Sequence, residues 1–437
     1  MDKTTAIRSM IAGLLLAVLT LPVFGQKQNN IWYFDDSLGI DFTSGKPVLL
    51  LDGVMWNSGG IDTPGDGDGS ISDRNTGKLL FYTCGHRRVF NRLHHLMPSP
   101  YDSSLGETVV IVPMGCDTSK YVIANIVDGW SNDLHSYGVY PPLVDYAVVD
   151  MEQDGGNGAV VNPPFELLRG STDRLTALPH ANGTDSWIIS HSLFDKYYRS
   201  WHVSSRGVNP TPVFSYSDSG DYPNFGGWPI DDEGMYNTSP DGTKIVDISI
   251  QGSMHLLDFD PQTGHVTLNH VIKGVDPITA CFSPDNSKLY FSMLEVGSEG
   301  IYQYDIQTRK IVRIDSSQAS ASWGLQLGPD RKIYISKERA SWLGVISDPN
   351  AVGSACNYQP FGFYLGGRKT ARVYAYLPTN MNSYPGAVSG NCEKITADFS
   401  TIAGCNGKCI SFSDWSNGSP TSWKWSFPGG KASSDTG

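Results

Sequence analysis

The sequence predicts an all-β protein built around a seven-bladed β-propeller, six blades being the alternative, followed by part of a small β-sandwich. Three observations predict it. Charged residues make up only 17% of a chain that holds 47 Gly and 26 Pro, and short alternating apolar segments lie between turn residues with no long amphipathic helix among them. A hairpin signature recurs at a fixed interval, since Pro240, Pro284 and Pro329 stand 44 and 45 residues apart, the length of a four-stranded blade. Weaker copies of the same signature run back towards the N-terminus.

Each strong copy has the same local chemistry. Ser239-Pro240-Asp241-Gly242-Thr243-Lys244 precedes Ile245-Val246-Asp247-Ile248, Ser283-Pro284-Asp285-Asn286-Ser287-Lys288 precedes Leu289-Tyr290-Phe291-Ser292, and Gly328-Pro329-Asp330-Arg331-Lys332 precedes Ile333-Tyr334-Ile335-Ser336. Proline fixes φ for the turn, Asp and Gly or Asn tolerate the left-handed conformation, and Lys opens the next strand with its charge in water. A second strand pair follows each unit, as in His255-Leu256-Leu257-Asp258-Phe259, Ile301-Tyr302-Gln303-Tyr304-Asp305 and Leu343-Gly344-Val345-Ile346. The weaker hairpins are Asp73 to Lys78 before Leu79, Cys116 to Lys120 before Tyr121, and His180 to Asp185 before Ser186. The segments Ile31-Trp32-Tyr33-Phe34 and Gly39-Ile40-Asp41-Phe42 read as the outer pair of a further blade, with inner strands expected from about residues 360–380. Joining the two chain ends in one blade removes the exposed sheet edges of an open array.

Residues 1–25 read as a signal peptide: Lys3 and Arg8 precede an apolar run from Met10 to Phe24, too short to span a bilayer and closed by Val23-Phe24-Gly25. No other stretch is long enough to span a membrane, so the expectation is an exported chain, extracellular or on the outer cell surface. Setting aside residues 1–25, with Lys3, Arg8 and Asp2, leaves 30 basic and 43 acidic side chains, a formal charge of −13. That balance argues against nucleic acid as a partner. The basic group Arg87, Arg88, Arg92, His94 and His95 alternates with Val89, Phe90 and Leu93 and reads as the solvated face of a strand pair. Of the seven cysteines, Cys281 sits in an apolar strand as a buried thiol, while Cys405 and Cys409 suit a local disulfide.

Residues 26–385 are thus expected to form the propeller and 386–396 a linker. In 397–437 the pattern changes to Ala397-Asp398-Phe399-Ser400, Ile410-Ser411-Phe412-Ser413-Asp414 and a strand with alternating Trp423, Trp425 and Phe427. The chain stops at Gly437 before a sandwich core is complete, which predicts a fragment of a longer protein with downstream modules. The stretch from Ala397, through its Ser-Phe-Ser-Asp strand and its Pro420-Thr421-Ser422-Trp423-Lys424-Trp425-Ser426-Phe427-Pro428-Gly429-Gly430 segment, resembles the first half of a PKD domain, an immunoglobulin-like sandwich. Residues 29–385 resemble the propeller regions that precede such domains in exported proteins of Bacteroidetes-type bacteria, through Asn30-Ile31-Trp32-Tyr33-Phe34, Gly77-Lys78-Leu79-Leu80-Phe81-Tyr82-Thr83 and Leu325-Gln326-Leu327-Gly328-Pro329-Asp330. The resemblance implies large surface or secreted proteins, some with a sorting domain for type IX secretion, and brings no catalytic residues to carry over.

Two acidic loops are the local candidates. Asp62, Asp66, Asp68 and Asp73 place oxygen ligands on a Gly-flexed backbone, a pattern suited to Ca2+, although Ile71 stands where an EF-hand needs Gly and no Glu closes the loop. Asp231, Asp232 and Glu233 follow Tyr222, Phe225 and Trp228 and precede Tyr236, and aromatics beside carboxylates are what a sugar-binding cleft or a glycoside hydrolase uses. For Tyr222, Trp228 and Tyr236 the expected role is ligand binding. Buried blade aromatics beside solvated loop charge account for the same residues, and the Asp62–Asp73 run reads equally as a solvated turn. No Gly-x-Ser-x-Gly elbow, His-Glu-x-x-His helix or dinucleotide fingerprint is present. The leading expectation is a non-catalytic binding or adhesion scaffold for an extracellular glycan or protein. The alternatives are a polysaccharide-degrading enzyme using the 231–233 acids and a structural part of a surface or motility apparatus; an aromatic rim would favour binding, and two facing carboxylates at the channel mouth would favour the enzyme.

Overall fold

A computed structural model of the chain describes residues 27–34, 37–54, 68–84, 88–99, 108–127, 142–217, 234–249, 253–293, 298–315, 322–370, 376–382, 399–403 and 410–414. The strands form a β-propeller of seven blades, each an antiparallel sheet, and no α-helix occurs among the described residues.

After a single 3₁₀ turn at Lys27–Asn29, blade 1 holds β1 (Ile31–Phe34), β2 (Leu38–Asp41) and β3 (Val48–Leu50). Blade 2 holds β4 (Gly69–Ser72), β5 (Leu79–Cys84) and β6 (Arg88–Asn91). Blade 3 runs β7 (Val109–Pro113), β8 (Lys120–Val127) and β9 (Leu143–Asp150), with an outer edge split between β10 (Ala159–Val160) and β11 (Phe165–Arg169). Blade 4 repeats that arrangement in β12 (Ser171–Pro179), β13 (Ser186–Ser192), β14 (Tyr197–Ser204), β15 (Gly207–Val208) and β16 (Val213–Tyr216). Blade 5 has β17 (Gly234–Thr238), β18 (Lys244–Ser249), β19 (Ser253–Phe259) and β20 (Val266–Ile272). Blade 6 has β21 (Pro277–Phe282), β22 (Lys288–Met293), β23 (Gly300–Asp305) and β24 (Ile311–Asp315), and blade 7 has β25 (Ser322–Leu327), β26 (Ile333–Lys337), β27 (Trp342–Ile346) and β28 (Tyr358–Tyr364). A separate two-stranded sheet, β29 (Phe399–Ala403) with β30 (Ile410–Asp414), is what is described of the C-terminal region.

The recurring hairpins are the turns between the first and second strands of blades 2 to 7. In blade 5 the Ser239 hydroxyl donates to Asp241 at 2.6 Å and accepts from the backbone N–H of Lys244 at 2.9 Å. Blade 6 repeats both bonds with Ser283, Asp285 and Lys288. The left-handed residue of the turn is Gly242, Asn286 and then Arg331, at φ of 71°, 60° and 66°. Arg331 is outside the Gly-or-Asn expectation. Its turn is held in part by the Tyr334 hydroxyl donating to Asp330 at 2.9 Å.

Because strands alternate in direction, all six hairpins lie on one face of the ring. The connections from second to third strands, and from one blade to the next, lie on the opposite face, called here the loop face. Apolar side chains from facing blades form the core between sheets. Trp32, Phe34, Leu38, Ile40 and Phe42 of blade 1 meet Tyr334, Leu343 and Val345 of blade 7, closing the ring. The expectation that blade 1 draws strands from as early as residue 360 is corrected here: β28 pairs with β27 as the outer strand of blade 7. Leu377, which is buried, does join the core of blade 1, while residues 371–375 lie outside the described residues.

Candidate functional site

The sequence candidates divide into residues outside the described chain and residues turned to structural work. Asp62, Asp66, Tyr222, Trp228, Asp231, Asp232 and Glu233 lie outside the described residues. Asp68 and Asp73 flank β4 at its two ends, Asp68 towards the loop face and Asp73 in the hairpin. The Asp73 carboxylate accepts from the backbone N–H of Thr76 at 2.7 Å and from its hydroxyl at 2.8 Å. Burial alone would raise its pKa, but these bonds hold it below the usual carboxylate range. It is committed to its own turn. Among the described residues, no three His, Cys, Asp or Glu side chains converge as a metal cluster. Tyr236 is buried in the core between blades 4 and 5, beside Tyr198. In the basic group, His94 turns its Nδ1 to the Tyr82 hydroxyl at 3.0 Å, while Arg88, Arg92 and His95 stay exposed and Arg87 lies outside the described residues.

The loop face instead carries aromatic side chains that belong to no repeat or motif in the sequence. In blade 4, Phe194 is 67% exposed, Tyr197 39%, Phe214 51% and Tyr216 55%. β14 and β16 put Tyr197 directly opposite Tyr216 and Arg199 opposite Phe214. The Tyr197 ring stands 5.5 Å from Tyr216 and 6.1 Å from Phe214, both edge to face. Arg199 lies over the Phe214 ring at 5.1 Å and is held from behind by Asp195 through bonds of 3.0 and 2.6 Å. This arrangement fixes the Phe214 ring and offsets the Arg199 charge, while Lys196 in the same turn stays exposed. On the same face of blade 7, Trp342 and Tyr364 pair across β27 and β28 with rings 4.7 Å apart. Large exposed aromatics are rare on a soluble surface unless something covers them.

Strand alternation explains why blade 4 supports this patch. Its exposed residues are Tyr197, Phe214 and Tyr216, and their neighbours Tyr198 and Ser215 point the other way, into blade 5. Tyr198 donates to Asp247 at 2.7 Å, and Asp247 also accepts from Arg174 at 2.9 Å, with all three side chains buried. Burial opposes the charge on Asp247, but Arg174 and His255 outweigh it and keep the carboxyl below its ordinary range. His191 packs against the Tyr198 ring at 4.8 Å. Burial and then the Arg174 charge push its pKa down to about 4, so it is neutral at physiological pH. This network is sealed, and its chemistry is that of an inter-blade brace under the rim.

A hydrophobic repeat reports which residues alternate, but not where a neighbouring blade stops covering the sheet, and so the rim was not legible. The nearest sequence signal was Phe214-Ser215-Tyr216, a small polar residue between two aromatics on an edge strand.

No protein-family model matches the chain, and no curated protein is significantly similar to it in sequence. Among solved structures it is similar to a candidate 6-phosphogluconolactonase from Bacteroides uniformis, at 12% identity and a TM-score of 0.42, covering 72% of this chain and 90% of that one. A protein from Lactobacillus plantarum matches at 13% identity and a TM-score of 0.40, covering 70% of this chain and 83% of that one. A quinoprotein alcohol dehydrogenase-like protein from Bacteroides thetaiotaomicron matches at 13% and 0.40, covering 73% of each chain. No ligand or activity passes from these proteins to this one.

Proposed function

We propose that the chain is an exported, non-catalytic binding module whose loop-face rim takes an extracellular glycan. The observation that carries this reading is the exposed aromatic set of blade 4, in which the Tyr197, Phe214 and Tyr216 rings meet, the Arg199–Asp195 pair holds Phe214, and Phe194 is exposed in the adjoining turn. Aromatic faces stack on the C–H faces of sugar rings, and the two phenol hydroxyls supply polar contacts at the same edge. The apolar leader of residues 1–25 supports export, and the resemblance of residues 397–437 to a PKD domain supports a multi-modular surface protein with the propeller as its binding end.

The test is a glycan and matrix-protein array probed with the mature chain, alongside hydrolysis assays on any polymer that binds. Glycan binding without cleavage supports the reading. Cleavage abolished by Asp231→Asn or Glu233→Gln would replace it with the enzyme reading, and capture of matrix protein alone would replace the glycan with a protein ligand.

A further inference from the structure

The innermost strands of a propeller surround an axis, and in this protein the chain itself occupies it. Residues 376–382 carry no regular secondary structure, yet they bond to inner strands on opposite sides of the ring. The Thr379 N–H donates to the carbonyl of Asp68 at 3.0 Å, just ahead of β4, and its hydroxyl donates to the carbonyl of Val109 in β7. Asn380 accepts from the N–H of Ser70 in β4 at 3.0 Å. Asn382 donates to the Asn237 side chain at 2.9 Å and to the Thr238 carbonyl at 2.7 Å in β17, and accepts from Gln326 of β25 at 2.9 Å. Blades 2, 3, 5 and 7 are thereby tied to one another through seven residues. Leu377 and Met381 are 5% and 2% exposed and add apolar anchors. The wall is shaped to admit the segment: a Cβ on Gly324 of β25 would stand 2.8 Å from the Leu377 nitrogen.

The segment also has a direction. Thr379 bonds near the loop-face ends of β4 and β7, whereas Asn382 bonds at the hairpin ends of β17 and β25. From Thr379 to Asn382 the chain therefore runs from the loop face towards the hairpin face. The N-terminal turn lies on that face too, with Lys27 donating to the Asn75 carbonyl in the blade 2 hairpin at 2.7 Å and Asn29 donating to the Met381 carbonyl at 2.6 Å.

We infer that residues 376–382 are an axial bolt: tension applied from the C-terminal region is delivered to four blades at once along the axis, instead of peeling the outer strand of the last blade. Extraction requires the bonds of Thr379, Asn380 and Asn382 to fail together with burial of Leu377 and Met381, so separation is cooperative with opening of the ring. This inference is independent of the glycan reading.

The test is force spectroscopy on the whole mature chain held at its two ends, with hydrogen exchange on the same protein. The Thr379 amide is expected to exchange as slowly as the β12 and β22 amides, and the ring to open in one event. Asn382→Ala with Thr379→Val, which removes the bonds to three blades, is expected to raise the rupture rate at fixed force about tenfold or more, the effect of losing two or more net hydrogen bonds. If the double variant fails to fold, Asn382→Ser alone keeps the comparison. Release of the C-terminal region at low force with the ring intact, fast exchange at Thr379, or a variant that ruptures at the wild-type rate would overturn the inference.

Discussion

Arg174 of blade 4 donates to Asp247 of blade 5 across 2.9 Å, and both side chains are sealed from solvent at 1% exposure. Removing one partner strands the other as a buried charge. Asp247→Ala is therefore expected to cost about 3–5 kcal/mol in chemical denaturation, whereas an apolar replacement of the set, Arg174→Met with Asp247→Leu and Tyr198→Phe, is expected to recover most of that loss. Equal destabilisation by the single and the combined variants would show that the brace acts through packing alone.

The same network makes stability depend on acid. His191 titrates near 4 in the folded chain against an ordinary value of 6.5, so the folded state resists a proton that the unfolded state accepts. Well above pH 6.5 neither state binds it and stability is complete. Between pH 6.5 and about 4 the unfolded chain is favoured progressively, by about 3 kcal/mol at the lower end. Unfolding measured at pH 7 and pH 4.5 is expected to show this loss in the wild type and a much smaller one in His191→Phe. Equal pH dependence in both proteins would assign the acid sensitivity to other groups.

How much of this was legible beforehand follows from the range over which each signal acts. The Ser-Pro-Asp turns are local: their hydroxyl and carboxylate bonds close within six residues, so Ser239 and Ser283 announce the hairpins and their spacing announces the blades. Ring closure was half legible, because Trp32 and Phe42 look like core residues anywhere but meet Tyr334 only through the fold. The axial bolt is legible only as the expected return of residues 360–380 to the inner side of blade 1, since Thr379-Asn380-Met381-Asn382 reads as a polar loop and acquires partners as far as 311 residues away. For the candidate site, the sequence reads Tyr236 as a ligand contact and the fold buries it between blades 4 and 5, while Tyr197 and Tyr216 carry no motif and stand exposed. Which face a neighbouring blade covers depends on sheet length and connection length, and neither is encoded by aromatic content.

Cys281 and Cys356 lie in the core between blades 6 and 7, both fully out of solvent. Burial pushes both thiols above the ordinary range, so neither is available as thiolate. In the folded chain both are expected to resist an aromatic disulfide reagent for as long as the ring stays closed, and to react at the rate of global opening. Fast modification under native conditions would mean that the blade 6–blade 7 seam breathes.

The rim itself is tested most directly by the affinity of the mature chain for the glycan its array selects, measured for wild type, for Tyr197→Ala with Tyr216→Ala, and for Phe361→Ala, a still more exposed aromatic on blade 7. The double variant is expected to bind about tenfold or more weakly, at about 1 kcal/mol for each ring, with an unchanged unfolding midpoint and with Phe361→Ala at wild-type affinity. Undiminished binding by the double variant would contradict the assignment of the blade 4 rim as the ligand site.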